Sequence, residues 1–170
     1  MSATNKLRYA LMRDIGLPAA LKGRDLYKRL RRKPRPYPDW LGPPLRCNAR
    51  LRSIMTRHYL LAKYAEGAMP VAWVTSGAPV ELLRVLGFYT VYPENHGAVC
   101  GARKVGVEMS APAEGAGYSP DLCSYARIDL GQALGAGSPV GRLPRPDVLI
   151  CSTNICQTVL HWYKQLAWIY

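Results

Sequence analysis

The stretch Pro146-Asp147-Val148-Leu149-Ile150-Cys151-Ser152-Thr153-Asn154-Ile155-Cys156-Gln157-Thr158-Val159-Leu160-His161-Trp162 decides the fold. It opens on an apolar run, Val148 to Cys151, of the kind a buried parallel strand shows. It turns polar at Ser152-Thr153-Asn154, side chains that favour helix N-caps. From Ile155 the apolar positions Ile155, Val159, Leu160, Tyr163 and Leu166 recur at helical spacing. The reading is strand, tight loop, then helix over 155–166. Ligands of open α/β sheets sit at the carboxyl ends of strands. Cys156 is expected there, in the first turn of the helix, where backbone N–H groups favour a thiolate.

Upstream, the same grammar appears twice. Val71 to Thr75 reads as a strand, Ser76-Gly77-Ala78 as the loop at its end, and Pro79 as the first residue of a helix running to Leu86. Gly87 stops that helix, and Phe88 to Tyr92 reads as a second strand. Pro93-Glu94-Asn95-His96-Gly97 follows its carboxyl end. Short connections between strand, helix and strand predict a βαβ unit in a parallel sheet. The glycines do not space as Gly-x-Gly-x-x-Gly, and no Gly-x-x-x-x-Gly-Lys-Ser/Thr occurs, so neither dinucleotide nor P-loop signatures are present. Ser76 and Glu94 end neighbouring strands and face one crevice. Glu94 suits a general acid/base and Ser76 a hydrogen-bond donor. The plainer alternative makes Ser76 a helix cap and Glu94 a solvated loop charge. His96 reads as a second acid/base or a loop residue.

Residues 101–119 are rich in Gly, Ala and Ser and give no clear assignment. Asp121 to Leu134 reads as a helix after Ser119-Pro120, with Leu122, Ala126, Leu130 and Leu134 at helical spacing. Cys123 falls in its first turn. Cys123 and Cys156 therefore form a pair of helix-start thiols, suited to iron–sulfur ligation, with zinc and redox roles equally conceivable on spacing alone. Cys151 reads as a packing residue, and Cys100 as a third ligand or a loop thiol.

The chain has 170 residues and a formal net charge of +12. That length suffices for one domain with a core, and nearly half of the residues are apolar, which excludes a disordered chain. No apolar run is long enough to span a membrane, and the N-terminus lacks a signal pattern, so the expected location is cytoplasmic and the five cysteines read as thiols or ligands. Residues 1–65 hold sixteen of the 23 Lys and Arg against three Asp, most densely at Lys28-Arg29-Leu30-Arg31-Arg32-Lys33-Pro34-Arg35. This third reads as a basic helical arm over residues 4–33, broken near Gly16, Pro18 and Gly23, then a proline-rich linker at 33–44, then a helix from Leu51 to Tyr64 with Leu51, Ile54, Met55, Tyr59 and Ala62 on one side. The basic run is either a polyanion contact or a solvated face. No nucleic-acid fold signature accompanies it, so nucleic acid is not an expected partner. Cys47 and His58 read as packing or surface residues.

Four separated segments then resemble one family: Trp73-Val74-Thr75-Ser76-Gly77-Ala78-Pro79-Val80-Glu81, Tyr92-Pro93-Glu94-Asn95-His96, Asp121-Leu122-Cys123-Ser124-Tyr125-Ala126-Arg127 and Cys151-Ser152-Thr153-Asn154-Ile155-Cys156. In order and spacing they are similar to the 2-hydroxyacyl-CoA dehydratase and benzoyl-CoA reductase family, of the 2-hydroxyglutaryl-CoA dehydratase D-component type. The resemblance covers about residues 66–166. It implies a [4Fe–4S] cluster held by three cysteines, of which Cys123 and Cys156 match two. The third family ligand lies in a second, similar domain downstream. With Tyr170 as the last residue that domain is absent, so the chain is expected to be a fragment or truncated product unless Cys100 replaces the ligand. Ser76 and Glu94 match polar residues of the family's substrate pocket. The implied partners are an acyl-CoA substrate, a homologous second subunit and an ATP-dependent iron–sulfur activator protein that injects one electron. The implied reaction is reduction of the thioester to a ketyl radical, followed by loss of a 2-hydroxyl group or reduction of an aromatic ring.

The expected fold is thus α/β, a parallel-sheet Rossmann- or flavodoxin-like half domain at 66–170, preceded by the basic helical region 1–65. Two other functional classes remain open. One is a non-catalytic assembly subunit or remnant of the family. The other is a polyanion-binding module built on the basic arm.

Overall fold

The computed structural model describes residues 1–31, 45, 47–154 and 156–170. The linker expected at 33–44 lies outside the described residues, as do Arg32 to Arg35 of the basic run and Ile155 of the last expected helix. Among the described residues, three short strands form a parallel sheet in the order β2-β1-β3. They are β1 (Val71–Val74), β2 (Tyr89–Val91) and β3 (Val148–Ile150). Val71 pairs with Tyr89 on one side of β1, and Ala72 with Val148 on the other. The expected strands at 71–75, 88–92 and 148–151 are therefore neighbours and parallel. Asp147 adds a clamp at the start of the ladder. Its carboxylate accepts from the Val71 amide at 2.7 Å, and its own amide donates to the Val71 carbonyl at 2.8 Å.

All four residues of β1 are buried because helices cover both faces of the sheet. Ala72 and Val74 pack with Leu83 of α4 (Val80–Val85). Val71 and Trp73 point the other way, into the main core. That core takes side chains from α3 (Cys47–Ala65), α6 (Gly106–Gly115), α7 (Ser124–Ala133) and α8 (Gln157–Ile169). Trp73 is fully buried, and its indole N–H donates to the Pro144 carbonyl at 2.9 Å. Alternation along one strand thus decides which layer each helix joins.

Three segments take a form the sequence left open or read differently. Residues 93–97 are not a loop: α5 (Pro93–Ala102) begins at once after β2, with Pro93 in its first turn, where a missing N–H costs nothing. The Gly/Ala/Ser-rich segment 101–119 contains a helix, α6. Gly131 of α7 lies against α6 so closely that a Cβ there would sit 1.9 Å from the Met109 carbonyl oxygen. Small residues here are what let two helices meet. In the N-terminal third, α1 (Ala3–Leu11) runs through a π-helical turn, Met12–Gly16, into α2 (Leu17–Leu30). Pro18 opens α2 rather than breaking it, and Gly23 sits inside it.

The N-terminal helices are docked on the α/β unit. Leu17 is buried, Tyr9 packs against the main core and edge-on to Tyr89, and the Ser2 amide donates to the Gly67 carbonyl at 3.1 Å. In α3 the apolar stripe is buried only in its second half. Tyr59 and Ala62 are inside, whereas Leu51 and Ile54 are exposed. His58 is a packing residue, as expected. Its ring stacks on Tyr89 at 5.4 Å, and burial, with Arg84 adding to it, holds its pKa below the ordinary value.

Candidate functional site

Ser76 lies in the turn after β1, and Glu94 is the second residue of α5, directly after β2. Parallel pairing of β1 and β2 brings these two strand ends together, and the Ser76 hydroxyl donates to Glu94 Oε2. Ser76 caps no helix: Pro79 occupies the N-cap of α4, and no side chain caps that end. Glu94 stands half-buried in the first turn of α5. Its neighbour Asn95 accepts a hydrogen bond from the buried Tyr59 at 2.7 Å. On the other side of β1 the Ser152 amide donates to Thr75 Oγ1 at 2.8 Å, tying the loop after β3 to the loop after β1.

Cys123 and Cys156 are the N-cap residues of α7 and α8, which begin at Ser124 and Gln157, three and two residues after the starts expected from sequence. Both thiols are exposed. Each N-cap has an extended-type ψ, 128° and 158°, and no side-chain cap bond. The start of α7 is held near α5, because a Cβ on Gly97 would lie 3.1–3.3 Å from Tyr125. Glu94 and Cys123 therefore begin two helices in close contact. Among the described residues, no three His, Cys, Asp or Glu side chains gather as a metal-holding group. Cys100 is no loop thiol. It lies within α5, fully buried with Met109 and Ile128, while Cys123 and Cys156 face out. Cys151 packs at the edge of the main core.

His96 is a core residue rather than a loop residue. It is fully buried, its Nδ1 meets Asp129 Oδ1 of α7, and its Nε2 faces Ser138 Oγ at 2.8 Å and Cys100 Sγ at 3.5 Å. Burial works to lower its pKa. The hydrogen bonds and charges of Asp129 and Cys100 outweigh that and leave it raised. Asp129 is itself raised, by burial first, with His96 opposing. The two shifts pull the pair in opposite senses, the first toward an imidazolium and the second toward a neutral acid. Asp129 Oδ2 has no partner among the described residues. Neutral pH lies above the raised acid, about 6, and below the raised imidazole, about 9, so the charged pair is the form at neutral pH. Asp129 had a visible signal in the sequence: a lone acid between Ile128 and Leu130, on the side of α7 that packs inward. Tyr163 of α8 is buried nearby, its phenol raised by burial and then by the charges of Asp129, Glu94 and Cys151.

The family model described as 2-hydroxyglutaryl-CoA dehydratase, D-component, matches residues 75–170. The chain is 38% identical over 118 residues to the (R)-2-hydroxyisocaproyl-CoA dehydratase alpha subunit of Clostridioides difficile, covering 69% of this chain and 29% of that protein. It is 40% identical over 97 residues to the (R)-phenyllactyl-CoA dehydratase alpha subunit of Clostridium sporogenes, covering 57% and 24%. It is 33% identical over 103 residues to a benzoyl-CoA reductase subunit of Thauera aromatica, covering 59% and 24%. The chain thus spans 24–29% of the length of these relatives. With more than half of its length matched, through all three helix starts that carry Glu94, Cys123 and Cys156, the chain belongs to the 2-hydroxyglutaryl-CoA dehydratase D-component family.

Proposed function

We propose that this chain forms the first α/β half-domain of an iron–sulfur 2-hydroxyacyl-CoA dehydratase or benzoyl-CoA reductase subunit. The observation that carries the reading is the Ser76–Glu94 hydrogen bond at the carboxyl ends of adjacent parallel strands, inside the matched region. Sheets of this kind bind ligands at that edge. Cys123 and Cys156 fit a cluster in kind, being exposed thiols at helix N-caps, and a third ligand would come from residues beyond these 170. When bound, a [4Fe–4S] cluster supplies a single low-potential electron to the acyl thioester.

The chain's own side chains do the rest. Loss of a 2-hydroxyl as water requires a proton at the departing oxygen. In this reading Glu94 holds and delivers it. Ser76 fixes the carboxyl rotamer by donating to Oε2, which leaves the other oxygen for substrate. The half-buried setting of Glu94 limits the water that would compete for that proton. A homologous second subunit and an ATP-dependent activator complete this reading.

Two measurements test it. In a subunit assembled with its partner and activator, Glu94→Gln should lower turnover by about 10²–10⁴-fold while iron content stays unchanged. Full turnover in that variant would remove Glu94 from the chemistry. In the 170-residue chain, anaerobic reconstitution should give a weak, labile iron–sulfur absorption that Cys123→Ala and Cys156→Ala each abolish, because two protein ligands leave irons open to solvent and thiols. Stable stoichiometric iron lost instead with Cys100→Ala or Cys151→Ala would overturn the ligand assignment.

A further inference from the structure

A cleft of about 640 Å³ opens between α2, α3 and α5. Five cations line it: Arg24, Lys28, Arg52, Lys63 and Arg103. Among the described residues, no carboxylate lines it. Asp25, which pairs with Arg24 at 2.9 Å, stands outside it. Helical spacing explains the gathering. Arg24 and Lys28 are one turn apart on α2, and Arg52, Thr56 and Lys63 share a face of α3. Arg103 follows the last turn of α5.

We propose that this cleft binds an organic phosphate of nucleotide size. Its volume falls within the roughly 300–1,000 Å³ typical of small-ligand sites. One of its cations is already fixed. The Arg24 guanidinium donates to Thr56 Oγ1 at 2.9 Å and Ser53 Oγ at 3.0 Å, so it loses little freedom on meeting a phosphate. Lys28, Arg52, Lys63 and Arg103 make no ion pair among the described residues. Lys63 reaches the cleft over Gly141, whose φ is +80° and where a Cβ would lie 2.7 Å from Lys63 Nζ. The floor is apolar, with Met55, Leu60 and Val140. A bare phosphate would not use that floor, whereas a heterocyclic ring would lie on it. Several cations in one concavity call for a ligand with more than one phosphate.

The cleft abuts the helix start that carries Glu94, since Tyr59 lines it and donates to Asn95. Two sources share this chemistry, the nucleotide end of coenzyme A and a free nucleotide. Calorimetric titration of the 170-residue chain with coenzyme A, ADP, adenosine and inorganic phosphate distinguishes them. Coenzyme A or ADP should bind, more weakly as salt is added. Arg52→Ala and Arg103→Ala, both at exposed positions, should each weaken binding by about tenfold, and Arg8→Ala on α1 should not. Coenzyme A tighter than ADP assigns the thioester carrier, and ADP at least as tight assigns a free nucleotide. Either result upholds the cleft. Binding by neither, or binding that both substitutions leave unchanged, overturns it. So does adenosine as tight as ADP, and inorganic phosphate as tight as ADP would mean an adventitious ion only. A fully active Glu94→Gln subunit would defeat the dehydratase reading and leave these titrations untouched.

Discussion

His96 and Asp129 form a fully buried pair joining α5 to α7, the two helices whose starts carry Glu94 and Cys123. Folded His96 keeps its proton past 6.5, the ordinary value at which an unfolded histidine gives it up. Its contribution is therefore fully present below that pH and is lost as pH rises through the raised folded value. Asp129 is also raised, so its linkage has the same sign but operates lower, from 3.8 up to about 6. Urea unfolding midpoints should fall between about pH 6 and about pH 10, and Asp129→Ala should flatten that slope. The same substitution leaves a buried imidazole without its partner and should cost about 3–5 kcal/mol at neutral pH. A slope unchanged in Asp129→Ala would place the titrating group elsewhere. Cys100 and Ser138, the other polar groups against the ring, remain in the variant.

Packing of α6 on α7 turns on close approach rather than on bulky ridges. The sequence of α6, Gly-Val-Glu-Met-Ser-Ala-Pro-Ala-Glu-Gly, has almost no amphipathic pattern to announce it. What holds it is α7, through the bare Cα of Gly131 beneath the Met109 carbonyl. The ion pair of Arg127 with Glu114 spans the same two helices. Gly131→Ala must push a backbone carbonyl aside, so it should destabilise by about 1–3 kcal/mol at least. Thermal unfolding would read this, and a neutral result would mean the helices can separate freely. Gly97→Ala is the softer companion. It meets Tyr125 at 3.1–3.3 Å, and its cost should appear at the start of α7.

The whole molecule carries its charge unevenly, with most cations in residues 1–65. The described part of that third is nevertheless part of the packed structure. Leu17 is 1% exposed, and Tyr9 reaches the main core. Leu17→Ala should therefore cost about 2–5 kcal/mol. Chemical denaturation should show one cooperative transition that shifts as a unit. A separate early transition for the N-terminal helices would mean they are an independent arm. Among the described residues, no helix is long and apolar enough to cross a membrane.

Much of the sheet was legible because its signals are local. Val148 to Ile150 and Val71 to Val74 are apolar runs ended by polar turns, and a run of that kind reads as a strand without knowing its neighbours. Parallel order followed from the short helix between β1 and β2, and with it the meeting of Ser76 and Glu94. Helix starts near Cys123 and Cys156 were legible to within three residues, since capping depends on the residues beside it. The rest depended on partners far along the chain. His96 looks like any loop histidine until Asp129, thirty-three residues on, is placed against it. Segment 101–119 lacks periodicity because its helix is defined by a glycine on another helix. The basic cleft needs α2, α3 and α5 side by side before its cations become one site. Local pattern determines where strands and helices begin; burial, charge pairing and concavity belong to the contacts between them, which only the tertiary structure decides.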